Sequence, residues 1–198
     1  MGKVLWLASA VLVPLVLSAP PLAANPAPAT PPGDVDLAAD PTGLYDEIAD
    51  VPPAGLKPIY IVVACWWGSA REGTTGVRFS APKPACYDAI WLSDTNVFPI
   101  VIGNSQTGVS VSFGACLSYP IHVMTMNFSA QGTTRPCCYY WVRPDPAASS
   151  GRIEGSDCDA EVVYLTGGAT IINRLPGGCP VPVEETTWGR VKSLYATE

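Results

Sequence analysis

From Lys57 onward the chain consists of short runs rich in β-branched and aromatic residues, each bounded by Gly, Pro, Asn, Asp or Ser, and helical periodicity is nearly absent. That pattern confines the folded part to an all-β architecture. Val109, Val111, Phe113 and Ala115 alternate with Ser110, Ser112 and Gly114, which predicts a strand with one face on a core and one towards solvent. Comparable runs are Ile59 to Trp67, Thr75 to Ser80, Tyr87 to Leu92, Val97 to Ile102, Ile121 to Ser129, Cys137 to Val142, Val162 to Thr166 and Ala169 to Arg174. Pro99 lacks the N–H that a central strand needs, so its run belongs at an edge or bulge. Gly167-Gly168, between the last two runs, predicts a two-residue hairpin. About nine strands in roughly 125 residues, with no helices between them, point to a single antiparallel β-sandwich of Ig-like or jelly-roll type.

The cysteines add staples to that frame. Lys3, the apolar run from Val4 to Leu17 and the small residues that follow have the layout of a secretory signal peptide, with cleavage expected after Ala24. No later run approaches that length, so no transmembrane helix is expected in the mature chain. Cys65, Cys86, Cys116, Cys137, Cys138, Cys158 and Cys179 all follow the signal, in a secreted or extracytoplasmic setting (periplasm or cell surface) where disulfides persist. An odd count leaves one thiol over, and the pairing is open. Cys137 and Cys138 are adjacent, so on a strand they point to opposite faces, one towards a core bridge. Zinc spacings of the Cys-x-x-Cys kind are absent, and no metal site or cofactor is expected.

Between Asn25 and Gly55 the composition shifts to Pro, Ala and acid. Asp34, Asp36, Asp40, Asp46, Glu47 and Asp50 occur there with no base, which makes the stretch a solvated acidic linker, extended where Pro26, Pro28, Pro31 and Pro32 stand. Leu44, Tyr45, Ile48 and Val51 are expected to dock a turn or short helix on the domain. Asp34, Asp36 and Asp40 resemble the start of a calcium loop but lack its later ligands. The domain plan is therefore signal peptide 1–24, linker 25–55, sandwich 56–183 and a C-terminal tail helix 184–198, with Trp188, Val191 and Tyr195 on one stripe. The formal charge of −6 comes mostly from the linker and disfavours nucleic acid as a partner.

The ending Cys179-Pro-Val-Pro-Val-Glu-Glu-Thr-Thr-Trp-Gly-Arg-Val-Lys-Ser-Leu-Tyr195 resembles the closing segment of a set of uncharacterised secreted bacterial proteins that finish in Trp-Gly-x-Ile/Val-Lys-x-Leu-Tyr. The resemblance covers the last stretch only. It implies an extracytoplasmic bacterial setting and brings no catalytic residue.

Chemistry is thinly represented. His122 is the one imidazole, alternation places it with Met124, Met126 and Phe128, and no Gly-x-Ser-x-Gly elbow accompanies it. Asp157, Asp159 and Glu161 would share a strand face, which is the minimum for a carboxylate-based hydrolase but also marks a solvated edge. The surplus is aromatic. Trp66-Trp67 and Tyr139-Tyr140-Trp141 are contiguous, so on strands one ring of each cluster faces outward, where it can stack on a sugar or a protein. The chain thus reads as a non-catalytic binding module for polysaccharide or a cell-surface protein. A structural or assembly subunit is the alternative, and a secreted hydrolase the third reading.

Overall fold

A computed structural model of the chain describes residues 34–43, 47–64 and 73–180. Signal peptide, Cys65, Trp66-Trp67 and the tail from Val181 lie outside the described residues. Twelve strands are formed: β1 (Val35–Ala38), β2 (Glu47–Ile48), β3 (Gly55–Val63), β4 (Thr74–Phe79), β5 (Ala89–Asn96), β6 (Ile100–Asn104), β7 (Gly108–Leu117), β8 (Ile121–Ala130), β9 (Cys138–Trp141), β10 (Ile153–Ser156), β11 (Val162–Leu165) and β12 (Ala169–Ile172). Among the described residues there is no helix.

The strands make a four-stranded sheet in the order β1-β3-β8-β5, a five-stranded sheet in the order β11-β10-β4-β7-β6, and a small sheet β2-β12-β9. The inward sets are those that period-2 alternation selects. Ile59 and Ile61 of β3 with Met124, Met126 and Phe128 of β8 join Val77, Phe79, Val109, Val111 and Phe113 of the other sheet in one buried cluster. Each such side chain contributes about 1.5 to 3 kcal/mol by leaving water. Tyr140 of the small sheet reaches into the same core, where its hydroxyl donates to the Ala81 carbonyl at 2.7 Å.

Several expectations are corrected. The folded domain takes in residues whose composition reads as linker: β1 pairs with β3, and its Val35 and Leu37 are fully buried. Its acids do local work, as when Asp34 accepts from the Thr166 N–H and hydroxyl, so apolar and acidic residues alternate along one strand. Ile48 docks as part of the two-residue β2, and Val51 is exposed, where a turn or helix was expected; Leu44 and Tyr45 lie outside the described residues. The sheets are not wholly antiparallel, because β2 runs parallel to β12.

Gly167-Gly168 does not close a hairpin. β11 pairs with β10 and β12 with β9, so the chain changes sheets at the two glycines. A Cβ on Gly167 would stand 2.3 Å from the Val142 carbonyl oxygen, and one on Gly168 would stand 2.4 Å from an Asp36 carboxylate oxygen. Glycine is needed here for close passage between β9 and β1 rather than for turn geometry.

Three disulfides staple the described residues: Cys86–Cys138, Cys116–Cys158 and Cys137–Cys179. Only Cys138 of the adjacent pair is on a strand: it is buried against the core, while Cys137 sits in the turn before β9 with φ +62° and bonds to Cys179.

Candidate binding surface

The aromatic cluster on β9 divides by face. Tyr140 is fully buried. Tyr139 and Trp141 share the opposite face and stack with centroids 6.1 Å apart and planes 17° from parallel. Tyr139 is itself largely buried, and its hydroxyl donates to the Pro180 carbonyl at 3.1 Å, so of the three only Trp141 is partly open to solvent. Trp66 and Trp67 lie outside the described residues.

His122 is not on the core face. A bulge opposite Ile61 and Val62 buries Val123 and Met124 in succession and turns His122 outward, which simple alternation could not anticipate. There it packs edge-on against Tyr60, centroids 5.3 Å apart, and its Nε2 lies 3.1 Å from the Thr125 hydroxyl. Partial burial holds its pKa below the ordinary value, opposed in part by a backbone hydrogen bond to Met124. A depressed histidine stabilises the fold above its unfolded pKa and loses that contribution as pH falls through the folded value. Between about pH 7.5 and about pH 5 the wild type is therefore expected to lose more thermal stability than a His122→Gln variant; parallel losses would remove His122 from the pH dependence.

The acids at 157–161 form a turn, not a strand face. The Asp157 carboxylate accepts the backbone N–H groups of Asp159 and Glu161, and the turn is tied to β7 by Cys116–Cys158. Asp159 and Glu161 are exposed on this turn. Asp34, Asp36 and Asp40 are likewise spent on separate partners: Thr166, the Leu37 N–H and Thr42. Among the described residues no three potential metal ligands converge.

The surface that stands out lies elsewhere. Ile90, Leu92, Val97, Ile100 and Ile102 are each more than half exposed, and they make up half of the large apolar side chains that the described residues expose. They sit on β5, on β6 and on the three-residue link between them, which carries the chain from one sheet to the other. Both strands end their sheets among the described residues, so neither has a strand partner on its outer edge there. Between Ala89 and Ala130, a span that holds β5, β6, β7 and β8, Asp94 is the only residue with a formal charge. That charge is used internally: Asp94 accepts from the Trp91 indole N–H, the Ser105 N–H and the Ser105 hydroxyl.

The outer side of the five-stranded sheet continues this surface. Register places Tyr164, Glu154, Arg78, Ser110 and Ile102 in one transverse row and Val162, Ser156, Gly76, Ser112 and Ile100 in the next. A shallow depression of about 340 Å³ lies over the middle of these rows, lined by Gly76, Arg78, Ser110, Ser112, Glu154 and Val162. Its one cation is already paired, with Arg78 Nε 2.6 Å from Asp145 and Nη1 3.6 Å from Glu154.

The sequence held half of this signal. Pro99 marks the run at 97–102 as an edge, and β6 is one; the missing charges are also visible in the sequence. Only the topology puts both facts on the same corner.

No protein-family model matches the chain, and no curated protein matches it either. Among the solved structures that the chain is similar to are two cohesin modules. The cohesin module of a family 33 glycoside hydrolase from Clostridium perfringens ATCC13124 aligns with a TM-score of 0.43 and 10% identity, over 71% of this chain and 96% of that one. The sixth cohesin of scaffoldin B from Acetivibrio cellulolyticus, in complex with a mutant Cel5 dockerin, aligns with a TM-score of 0.42 and 16% identity, over 71% and 97%.

Proposed function

We propose that the protein is a secreted, non-catalytic module that works by contacting another protein, and that the contact surface is the β5–β6 corner. One observation carries this reading: exposed aliphatic side chains are concentrated on two strands that end their sheets among the described residues, in a stretch whose sole charge is buried in internal hydrogen bonds. Exposed aliphatic side chains grouped on one strand are the kind of surface that marks an interaction site, as Ile100 and Ile102 are on the outer side of β6. An uncharged aliphatic surface matches a protein surface better than a hydroxyl-rich sugar, which is held by hydrogen-bonding groups and an open aromatic ring. Three disulfides fit the extracytoplasmic setting.

Photo-crosslinking tests the reading. With a photoreactive residue at Ile90 or Ile102 of the full chain in the producing cell, discrete protein adducts are expected, and none from Glu161 on the acidic turn. Adducts from no corner position would overturn the proposal. If the mature chain were instead retained on insoluble polysaccharide and released by Trp141→Ala, the aromatic face of β9 would replace the corner as the site.

A further inference from the structure

Building on the protein-contact reading, we infer that the occupant of this corner is a second copy of the chain, joined through β6. The β6 strands pair antiparallel about a two-fold axis at Ile102, and two five-stranded sheets become one of ten strands.

The outer edges of the two main sheets differ in how they are guarded. The outer edge of β1 is already occupied in part, since the Val35 N–H donates to the Thr166 carbonyl and the Gly168 N–H to the Val35 carbonyl. β11 leaves a turn bearing Asp159 and Glu161, and the Arg152 guanidinium lies over its Tyr164 ring, 5.0 Å from the centroid. β5 is bent by a bulge between Trp91 and Ser93. Acids, bulges and basic side chains of this kind are the devices that keep sheet edges from pairing with other chains. β6, Ile-Val-Ile-Gly-Asn, is uncharged and pairs with β7 without a register shift, its one backbone departure being Gly103 at φ +90°, and Pro99 stands before it rather than in it.

The same contrast selects the partner. An uncharged aliphatic strand offers nothing to a charged surface, and its best complement is another uncharged aliphatic strand. A second β6 meets that requirement without like charges facing one another. Around Ile102 the two-fold sets Ile102 against its own counterpart and Ile100 against Asn104. The acid of β1, Asp36, stays apart, because β1 is at the opposite end of its sheet from β5. An isologous contact closes at two, and the guarded β11 edge stops the joined sheet from growing.

Sedimentation velocity on the mature chain, residues 25–198 made in an oxidising host, tests this between about 1 and about 100 µM. A doubled mass is expected for wild type. Ile102→Lys, at a side chain 73% exposed, sets two like charges face to face and is expected to give a monomer with an unchanged melting temperature. Val162→Lys, at a side chain 63% exposed on the far edge, is expected to stay dimeric. Ile102→Cys is expected to yield a dimer linked by a disulfide, since a two-fold at that residue brings the two Cβ atoms within bonding reach.

A wild type that is monomeric throughout, or a dimer indifferent to Ile102→Lys, overturns self-pairing. If Ile102 of a monomeric wild type still photo-crosslinks to a different protein in the cell, the protein-contact reading stands without it. A monomer with no adduct removes both.

Discussion

Replacing Asp50 with Ala is expected to destabilise the domain by about 3 to 5 kcal/mol, lowering its melting temperature by roughly 10 °C. Asp50 is 1% exposed, and its carboxylate accepts from the Gly132 N–H at 3.0 Å, from the Thr134 N–H at 3.3 Å and from the Thr134 hydroxyl. Truncation to Ala leaves three donors in the interior without an acceptor, and each unsatisfied group costs about 1 to 3 kcal/mol. The backbone of Asp50 is held as firmly: its N–H donates to the Asn173 side chain at 2.7 Å, and the Asn173 amide donates to the Asp50 carbonyl at 2.8 Å and the Thr134 carbonyl at 2.7 Å. Three separate segments therefore meet at Asp50, and losing its carboxylate frees the 132–134 segment while the Asn173 bonds to its backbone remain. Asp50→Asn, which keeps an acceptor oxygen, is expected to lose about half as much, and Asp159→Ala on the exposed turn less than about 0.5 kcal/mol. Chemical denaturation of the three variants checks the order; an Asp50→Ala loss no larger than that of Asp159→Ala would mean the network adds nothing to stability.

Asp50 also shows where sequence reading stops. Among six acids with no base it looks like one more solvated charge, and nothing local separates it from Asp40. Its burial depends on Thr134 and Asn173, which are 84 and 123 residues away. β7 was legible because its inward side chains repeat at the period of the pleat, and β8 was legible as a strand although its bulge turned His122 to the outer face. β10 was not, because Ile153-Glu154-Gly155-Ser156 offers a single large apolar residue. β1 was hidden by its own acids, which read as linker until the topology showed them bonding to Thr166 and Leu37. The same limit applied at the surface: alternation in Tyr139-Tyr140-Trp141 says that one ring points away from its neighbours, but which ring meets solvent depends on what packs over β9. The apolar corner was legible as a stretch without charge, and became a site only when β5 and β6 proved to be terminal strands.

Removing the Cys86–Cys138 bridge by Cys86→Ala with Cys138→Ala is expected to cost more than removing Cys116–Cys158 in the same way, although their loops are nearly equal. The bridges span 52 and 42 residues, and the chain-entropy model assigns about 4 kcal/mol to each, with a difference of a few tenths. The native state separates them. Cys138 is buried beside Tyr140 in β9, a strand that pairs only with β12, and the bridge ties this small sheet to the loop that leads into β5. Losing its sulfur leaves a void in the core, which adds about 1 kcal/mol, whereas Cys116 is exposed and its loss opens no such space. Hydrogen exchange is expected to show the consequence locally. Amides of Tyr139 to Trp141 and Ala169 to Ile172 should lose protection first in the Cys86/Cys138 variant and keep it in the Cys116/Cys158 variant. If both variants lose the same stability and the same pattern of protection, the bridges act on the unfolded chain alone, and the small sheet is held to the core by Tyr140 and its hydrogen bond to Ala81 rather than by sulfur.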